Sequence, residues 1–178
     1  MKSLDPADAL LANAALGWLE LGNAHEAKAE LERLSPGAQK HPVILELQWR
    51  IAHELADWQT ALALARQQIQ ADPIEPAGYI HQAYALRRVK GGGLEKALHA
   101  LLPAARLFPE LDIVPYNLAC YAAQLGRLEE AWDWLLRAFR LTEDATHLTS
   151  MALKDDDLRP LWPKIRTLTQ IPGKKGKA

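Results

Sequence analysis

The residues that could do chemistry in this chain are one cysteine, six histidines, a triple glycine and a run of three aspartates. A catalytic cysteine needs a base within reach and a lowered pKa. Cys120 stands in an apolar helical stretch with no histidine near it in the sequence, so we predict a structural cysteine that is buried or lines a groove. The histidines form neither HxxxH nor HExxH, the spacings that place two ring nitrogens on one helix face. We interpret them as surface residues and expect no metal; they are His25, His41, His53, His81, His99 and His147.

The glycine and aspartate runs also favour structural roles. Gly91-Gly92-Gly93 precedes a predicted helix, and the backbone N–H groups at a helix N-terminus can bind phosphate. Neither GxxxxGK[ST] nor GxGxxG is present, however, so we interpret the glycines as a lengthened turn between helices. Residues 155–157, three aspartates, lack the alternating ligands and the glycine of an EF-hand loop and are interpreted as a cap for the last helix. We therefore predict that the chain is not an enzyme and needs no cofactor.

Charge and hydropathy exclude further classes of protein. The formal net charge of −1 over 178 residues argues against a dedicated nucleic-acid binder, which usually carries a basic excess. No segment approaches the roughly 18 consecutive apolar residues of a membrane span. Asp5, Pro6 and Asp8 stand where a signal peptide would be apolar, and a single cysteine is consistent with a reducing compartment. We expect a cytoplasmic protein without nucleic-acid or membrane partners.

A period of about 34 residues organises the chain. A column of alanines recurs at intervals of 34, 36 and 34 residues, and two extra glycines in the triple glycine account for the longer interval. Five residues before each alanine comes a position suited to a tight turn between two helices. The alanines are Ala27, Ala61, Ala97 and Ala131, and the turn positions are Gly22, Ala56, Gly92 and Gly126.

Motifs within this period resemble those of a known repeat family. Residues 116–131 read YNLACYAAQLGRLEEA, and residues 71–73 read ADP. With the period, they resemble the tetratricopeptide repeat (TPR), a helix–turn–helix unit of about 34 residues, over about residues 8–140. More narrowly, the chain is similar to a group of small bacterial TPR proteins without assigned activity. This similarity lies in the run from HPVILELQW to YNLACYAAQLG, followed by DDDLRPLW. The resemblance implies an all-α fold, a right-handed α-solenoid of about four hairpins with C-terminal capping helices.

The repeat frame predicts the organisation of the whole chain. We expect one domain over residues 1–170 and a disordered basic tail over 171–178. Pro103 should kink the helix in which it lies, and capping helices should cover the apolar face of Trp132, Leu136 and Phe139. The predicted repeats span about 8–41, 42–75, 76–111 and 112–143, with the capping helices at about 144–169. The predicted helices span about 5–21, 23–35, 42–55, 58–71, 76–89, 94–107, 113–125, 128–140, 144–153 and 158–168.

The resemblance implies a concave groove lined by the first helix of each repeat, where TPR proteins usually bind peptides. In the aligned first helices, basic and aromatic side chains collect in the middle of the array. Arginine and tyrosine are enriched where binding energy concentrates, and arginine binds carboxylates through paired hydrogen bonds. We therefore expect a peptide or C-terminus with acidic and apolar groups as the partner. The predicted groove residues are Glu46, Arg50, His53, Tyr84, Arg87, Arg88, Tyr116, Asn117 and Gln124.

Several interpretations stay open from the sequence. The arginines could instead pair with Glu46 and Glu54 and only solubilise the surface. The leading hypothesis for function is a non-catalytic adaptor that binds a protein segment. One alternative is a self-assembling structural protein, such as a homodimer, that buries the apolar face of Leu16 and Leu19 between copies. Another is a secretion chaperone of the small TPR class.

Overall fold

The computed structural model describes residues 3–168, which contain helices and no strand. The all-α prediction is confirmed, and the tail predicted at 171–178 lies outside the described residues. Among these helices, none is both long and apolar enough to cross a membrane. The chain divides between Gly92 and Gly93 into two units, and this boundary falls inside the third predicted repeat. The first unit holds α1 (Pro6–Glu20), α2 (Ala24–Glu32), α3 (Pro42–Glu54), α4 (Trp58–Ala71) and α5 (Ala77–Arg88).

The second unit begins with α6 (Leu94–Leu101) and α7 (Ala104–Leu107). Pro103 separates these two helices, because it has no N–H to donate to the preceding turn; the predicted kink is therefore an interruption of the helix. The unit continues with α8 (Ile113–Gln124), α9 (Leu128–Leu141), α10 (Ala145–Ala152), a 3-10 helix at Asp156–Leu161 and α11 (Trp162–Arg166).

Side-chain caps fix where several helices begin. Each capping oxygen accepts a hydrogen bond from a backbone N–H of the first turn that has no partner within the helix. Asn23 accepts from the Glu26 N–H at 3.2 Å. The same arrangement begins α1 at Asp5, α4 at Asp57 and α10 at Asp144.

The predicted tight turns match the backbone at three of the four positions. Gly22, Ala56 and Gly126 have φ values of 75°, 53° and 76°, in the left-handed region that ends helices and favours glycine. The fourth position, Gly92, also lies between two helices, α5 and α6. There the positive φ values belong to Gly91 and Gly93 instead of Gly92, because the triple glycine lengthens the turn.

The aligned alanines lie at helix contacts in both units. Ala27, Ala61, Ala97 and Ala131 are all completely buried, and a residue without a side chain beyond Cβ lets two helices approach closely. Consecutive helices pack as pairs in the first unit, with α1 against α2, α3 against α4 and α4 against α5. In the second unit α8 packs against α9 and α6. The four aligned alanines are therefore interior positions of the two units.

The C-terminal segment differs in detail from its prediction. The helix predicted at 158–168 is divided into the 3-10 helix and α11, because Pro160 lies inside the first and Pro163 lies in the first turn of the second. The segment packs on α8 and α9 and buries Leu158 and Ile165, while Trp132 on α9 is itself buried. The C-terminal segment thus packs on the last helices of the second unit, as expected, but its first part is a 3-10 helix instead of an α-helix.

Candidate functional site

The nine predicted groove residues fall into two sets, one in each unit. Six lie on α3 and α5 of the first unit and three on α8 of the second. In the first set, Glu46 and Arg50 line a cleft, while His53, Tyr84 and Arg88 belong to an adjoining aromatic cluster. In the second set, Tyr116 and Gln124 contact the C-terminal segment.

A cleft of about 510 Å³ opens in the first unit. Its walls come from α1, from α3, and from the turn between α4 and α5. Apolar residues supply much of the lining, and Leu16 on α1 stands across from α3. Helix α5 comes close to α4 at one edge, where a Cβ on Gly78 would lie 2.9 Å from Cγ1 of Ile69. The cleft therefore combines an apolar lining with a backbone approach that requires glycine.

Glu46 and Arg50 bring opposite charges to this cleft, one helical turn apart on α3. Burial raises the pKa of the Glu46 carboxyl; a hydrogen bond from Gln68 and the charge of Arg50 act in the opposite direction. The Gln68 amide donates to Oε2 of Glu46 at 3.1 Å. Arg50 is half-buried, and no carboxylate oxygen among residues 3–168 comes within 4 Å of its guanidinium. Among the described residues, His81 is the one basic group within 4 Å of the Glu46 carboxylate, at 3.6 Å.

An aromatic cluster adjoins the cleft and was only partly predicted. The rings of Trp49 and His81 are stacked, with centroids 3.6 Å apart. His53 and Tyr84 lie 5.1 Å apart and pack near Trp58. The sequence columns selected His53 and Tyr84 but not the other three. Trp49 comes directly before Arg50 in the chain, and it was missed because side chains at adjacent positions on a helix point in different directions.

The three predicted arginines are engaged differently. The Arg88 guanidinium lies 3.6 Å from the centroid of the Tyr84 ring and donates a hydrogen bond to the Tyr84 carbonyl at 3.1 Å. Such a cation over an aromatic face is held by the ring quadrupole, so Arg88 supports the cluster. Arg87 also has partners of its own. Glu54 is 3.3 Å from His53, and no ion pair within 4 Å joins Arg50 or Arg88 to Glu54 or Glu46 in the described part of the chain.

In the second unit, the chain's own C-terminal segment contacts two of the three predicted residues. The Tyr116 hydroxyl donates to Oδ2 of Asp155 at 2.9 Å, and the Gln124 amide donates to the Asp157 carbonyl at 3.2 Å. Asn117 donates instead to the Ile113 carbonyl within α8. Tyr116 is only 5% exposed, and burial, with the nearby Cys120 and Asp155, raises the pKa of its phenol. A partner cannot reach Tyr116 while this segment is in place.

Cys120 lies in the same buried contact. Its sulfur is 3.5 Å from Oδ2 of Asp155, and Cys120, Asp155 and Asp157 bring one potential ligand atom each to within 4.8 Å of one another. A sulfur and two carboxylates could ligate a cation. Hydrogen bonds from Tyr116 and Cys120 to Asp155 already account for the arrangement, however. Asp155 also accepts from the Asp157 N–H at 3.0 Å, so it caps the 3-10 helix.

A second cleft in the first unit was not predicted. It has a volume of about 450 Å³ and lies among α2, α3 and α4. Leu31, Ile51 and Leu64 line it, with Lys28 and Asp57 at its edge. Six of its thirteen lining residues belong to the second helices α2 and α4, which the groove hypothesis did not consider.

Comparison with known proteins gives no further assignment: no protein-family model matches the chain, and no curated protein matches it either.

Proposed function

We propose that this chain is a non-catalytic, cytoplasmic protein-interaction module of TPR-like helical hairpins, and that it binds a peptide segment in the 510 Å³ cleft of the first unit. The 34-residue period, the paired helices and the buried alanine column support the repeat assignment. The observation that carries the binding proposal is the cleft itself, which places the charged side chains of Glu46 and Arg50 beside the apolar side chain of Leu16.

An extended peptide suits this cleft for two reasons. Its lining joins apolar side chains to a few polar ones, which is the usual composition of a binding site. Glu46 and Arg50 offer an acceptor and donors on the α3 wall, and these can hydrogen-bond a peptide backbone or a polar side chain.

Selection from a random peptide library displayed on phage would test the proposal. Asn13 is exposed on α1 and lines the cleft, so Asn13→Trp should fill it without changing charge. We expect the selected peptides to bind Asn13→Trp roughly tenfold more weakly than the unmodified chain, because they lose access to the central contacts. Gln59→Trp, at an exposed position on α4 outside the cleft, is the matched control. Equal binding to the two variants would refute the cleft as the site.

Self-association is a second candidate, and an exposed face of α1 favours it. Leu10 and Leu21 are 70% and 76% exposed and lie three helical turns apart on one side. By contrast, Leu16 and Leu19, the residues predicted for such a face, pack against the core of the first unit. Light scattering at micromolar concentration tests this candidate. A dimer that the Leu10→Ser, Leu21→Ser pair dissociates would support it, and a monomeric unmodified chain would refute it.

A further inference from the structure

The cleft of the first unit is more acidic than the predicted groove. Three carboxylates line it, from Glu46, Asp72 and Glu75. Arg50 is the one basic side chain in its lining within the described residues. The other arginines that led to the expectation of an acidic partner do not line this cleft, and Arg88 is held on the Tyr84 ring. The charge near the cleft therefore differs in sign from the charge that the sequence columns indicate.

Glu46 is a partly buried carboxylate, and the charge of Arg50 only partly offsets the burial that raises its pKa. Its Oε2 atom accepts a hydrogen bond from the neutral amide of Gln68 and lies 3.6 Å from Nδ1 of His81. Burial keeps that imidazole neutral, with its pKa lowered to about 4, so it supplies no positive charge at neutral pH. The negative charge of Glu75 also disfavours ionisation of Glu46. A partly desolvated carboxylate beside a like charge is stabilised by a cation that binds there.

The end of α4 adds to the same electrostatic preference. Ala71, the last residue of α4, and Asp72, which follows it, both line the cleft. The C-terminal end of a helix carries a partial negative charge from its unpaired carbonyl groups and favours cations. Many helices place a lysine or arginine there, but the last turn of α4 has no basic residue. The carbonyl groups at the end of α4 and the nearby carboxylates thus both favour a cation in the cleft.

We propose that the cleft binds a peptide segment in which a lysine or arginine side chain lies beside an apolar one, with the cation facing Glu46, Asp72 and Glu75 and the apolar group facing Leu16. This inference rests on the proposed peptide-binding function and specifies its partner by charge complementarity. Opposite charges across an interface increase the association rate and suppress wrong partners. Arg50 then helps to reject a second cation and to fix the position of the first.

Three synthetic peptides of eight residues test the charge of the partner. They share two leucines and differ only at the two neighbouring positions, which hold lysine, glutamine or glutamate. Binding is measured by fluorescence anisotropy of labelled peptides, and the site by amide chemical shifts of ¹⁵N-labelled protein. We expect the lysine peptide to bind most tightly, to shift amides of α3 and of the turn between α4 and α5, and to weaken as salt rises.

A pair of charge reversals provides the control. Glu75 is an exposed residue in the turn after α4, and Glu143 is an exposed residue in the turn after α9 of the second unit. Glu75→Lys should weaken binding of the lysine peptide about five- to tenfold, while Glu143→Lys, with the same change in net charge, should leave it unchanged. Arg50→Gln should strengthen binding of the same peptide, because it removes a like charge.

The outcomes separate this inference from the proposed function. Tightest binding by the glutamate peptide, with loss in Arg50→Gln, would overturn the basic partner and leave peptide binding in the cleft intact. Equal weakening by Glu75→Lys and Glu143→Lys would show attraction to net charge alone and would also overturn it. If peptides selected from the library bind in the cleft but none of the three synthetic ones shifts its amides at millimolar concentration, the inference fails and the function stands.

Discussion

The imidazole of His81 on α5 lies flat against the indole of Trp49 on α3, with planes 7° from parallel and ring centroids 3.6 Å apart. This stack joins two helices that are not consecutive in the chain and leaves only 14% of the His81 side chain exposed. The ring contacts Gln68 through Nδ1 at 2.9 Å. A histidine in this environment is packed as a neutral aromatic ring, since charging it would require water that the stack excludes.

The first prediction is a loss of stability in acid that depends on His81. Burial, and then the charge of His53, lower the pKa of His81 from 6.5 to about 4 in the folded chain. The unfolded chain therefore takes up a proton before the folded chain as the pH falls from about 6.5 to about 4. The free energy of unfolding should decrease through this range, by up to about 3 kcal/mol from this group alone.

Glu46 reduces this effect, because burial raises its pKa. Its carboxyl then takes up a proton in the folded chain first, which stabilises the fold as the pH falls. In urea unfolding between pH 7.5 and 4, the free energy of unfolding should decrease less with falling pH in His81→Gln than in the unmodified chain. His99→Gln, at an exposed histidine, should keep the full decrease. Parallel pH profiles for the unmodified chain and His81→Gln would contradict the prediction.

A second prediction concerns Ala56, the non-glycine residue with positive φ among residues 3–168. A left-handed conformation costs an alanine roughly 1–2 kcal/mol, and glycine adopts it without that penalty. Glycine also gives the unfolded chain more conformational freedom. This stabilises the unfolded state and offsets about 0.4–1 kcal/mol of the gain from the relieved strain. Ala56→Gly should therefore raise the free energy of unfolding by about 0.5–1 kcal/mol in a urea titration. Ala63→Gly, at an exposed position inside α4, should lower it by a similar amount.

Much of the fold was predictable because its determinants are local and periodic. Asp57 and the alanine four residues after it locate the start of α4, and the structure has α4 begin at Trp58, as predicted. The C-terminal segment was less predictable, because Pro160 and Pro163 allow more than one helical form and contacts with α8 select the 3-10 helix.

The candidate site was harder to predict than the fold. Column alignment selected Arg50 and Glu46, which the structure does place at one cleft. It could not select Asp72 and Glu75, which lie in a turn outside the helical columns. It also could not show that Arg88 is held by the Tyr84 ring, since that contact depends on a side-chain conformation. The charge at a cleft depends on every segment that the tertiary structure brings there. The aligned first helices of the repeats supply only some of those segments.

A third prediction contrasts two glycines. A Cβ on Gly92 would lie 1.9 Å from the Leu86 carbonyl oxygen, while a Cβ on Gly17 would meet nothing within 4 Å. Gly92→Ala should therefore displace the backbone and lower the free energy of unfolding by about 1–3 kcal/mol. Gly17→Ala, within α1, should raise it by roughly 0.5–1 kcal/mol. Chemical denaturation of both variants checks the pair, and a neutral Gly92→Ala would contradict the close approach.

The last prediction tests the contact between α8 and the C-terminal segment of the second unit. Tyr116→Phe removes the hydrogen bond to Asp155 without opening a cavity. Hydrogen bonds to charged groups contribute about 1.5–3 kcal/mol, so the variant should lose stability in that range in a denaturant titration. Its Cys120 thiol should also react faster with a thiol reagent, because the segment that covers it opens more often.

Tyr79→Phe serves as the matched control for this contact. The Tyr79 hydroxyl donates to the Pro73 carbonyl at 3.1 Å at an exposed position of the first unit. Water can replace that bond, so its loss should change the free energy of unfolding by less than about 0.5 kcal/mol and leave the Cys120 reaction rate unaltered. If Tyr116→Phe matched Tyr79→Phe in both measurements, the Tyr116–Asp155 hydrogen bond would not be what holds the C-terminal segment on α8.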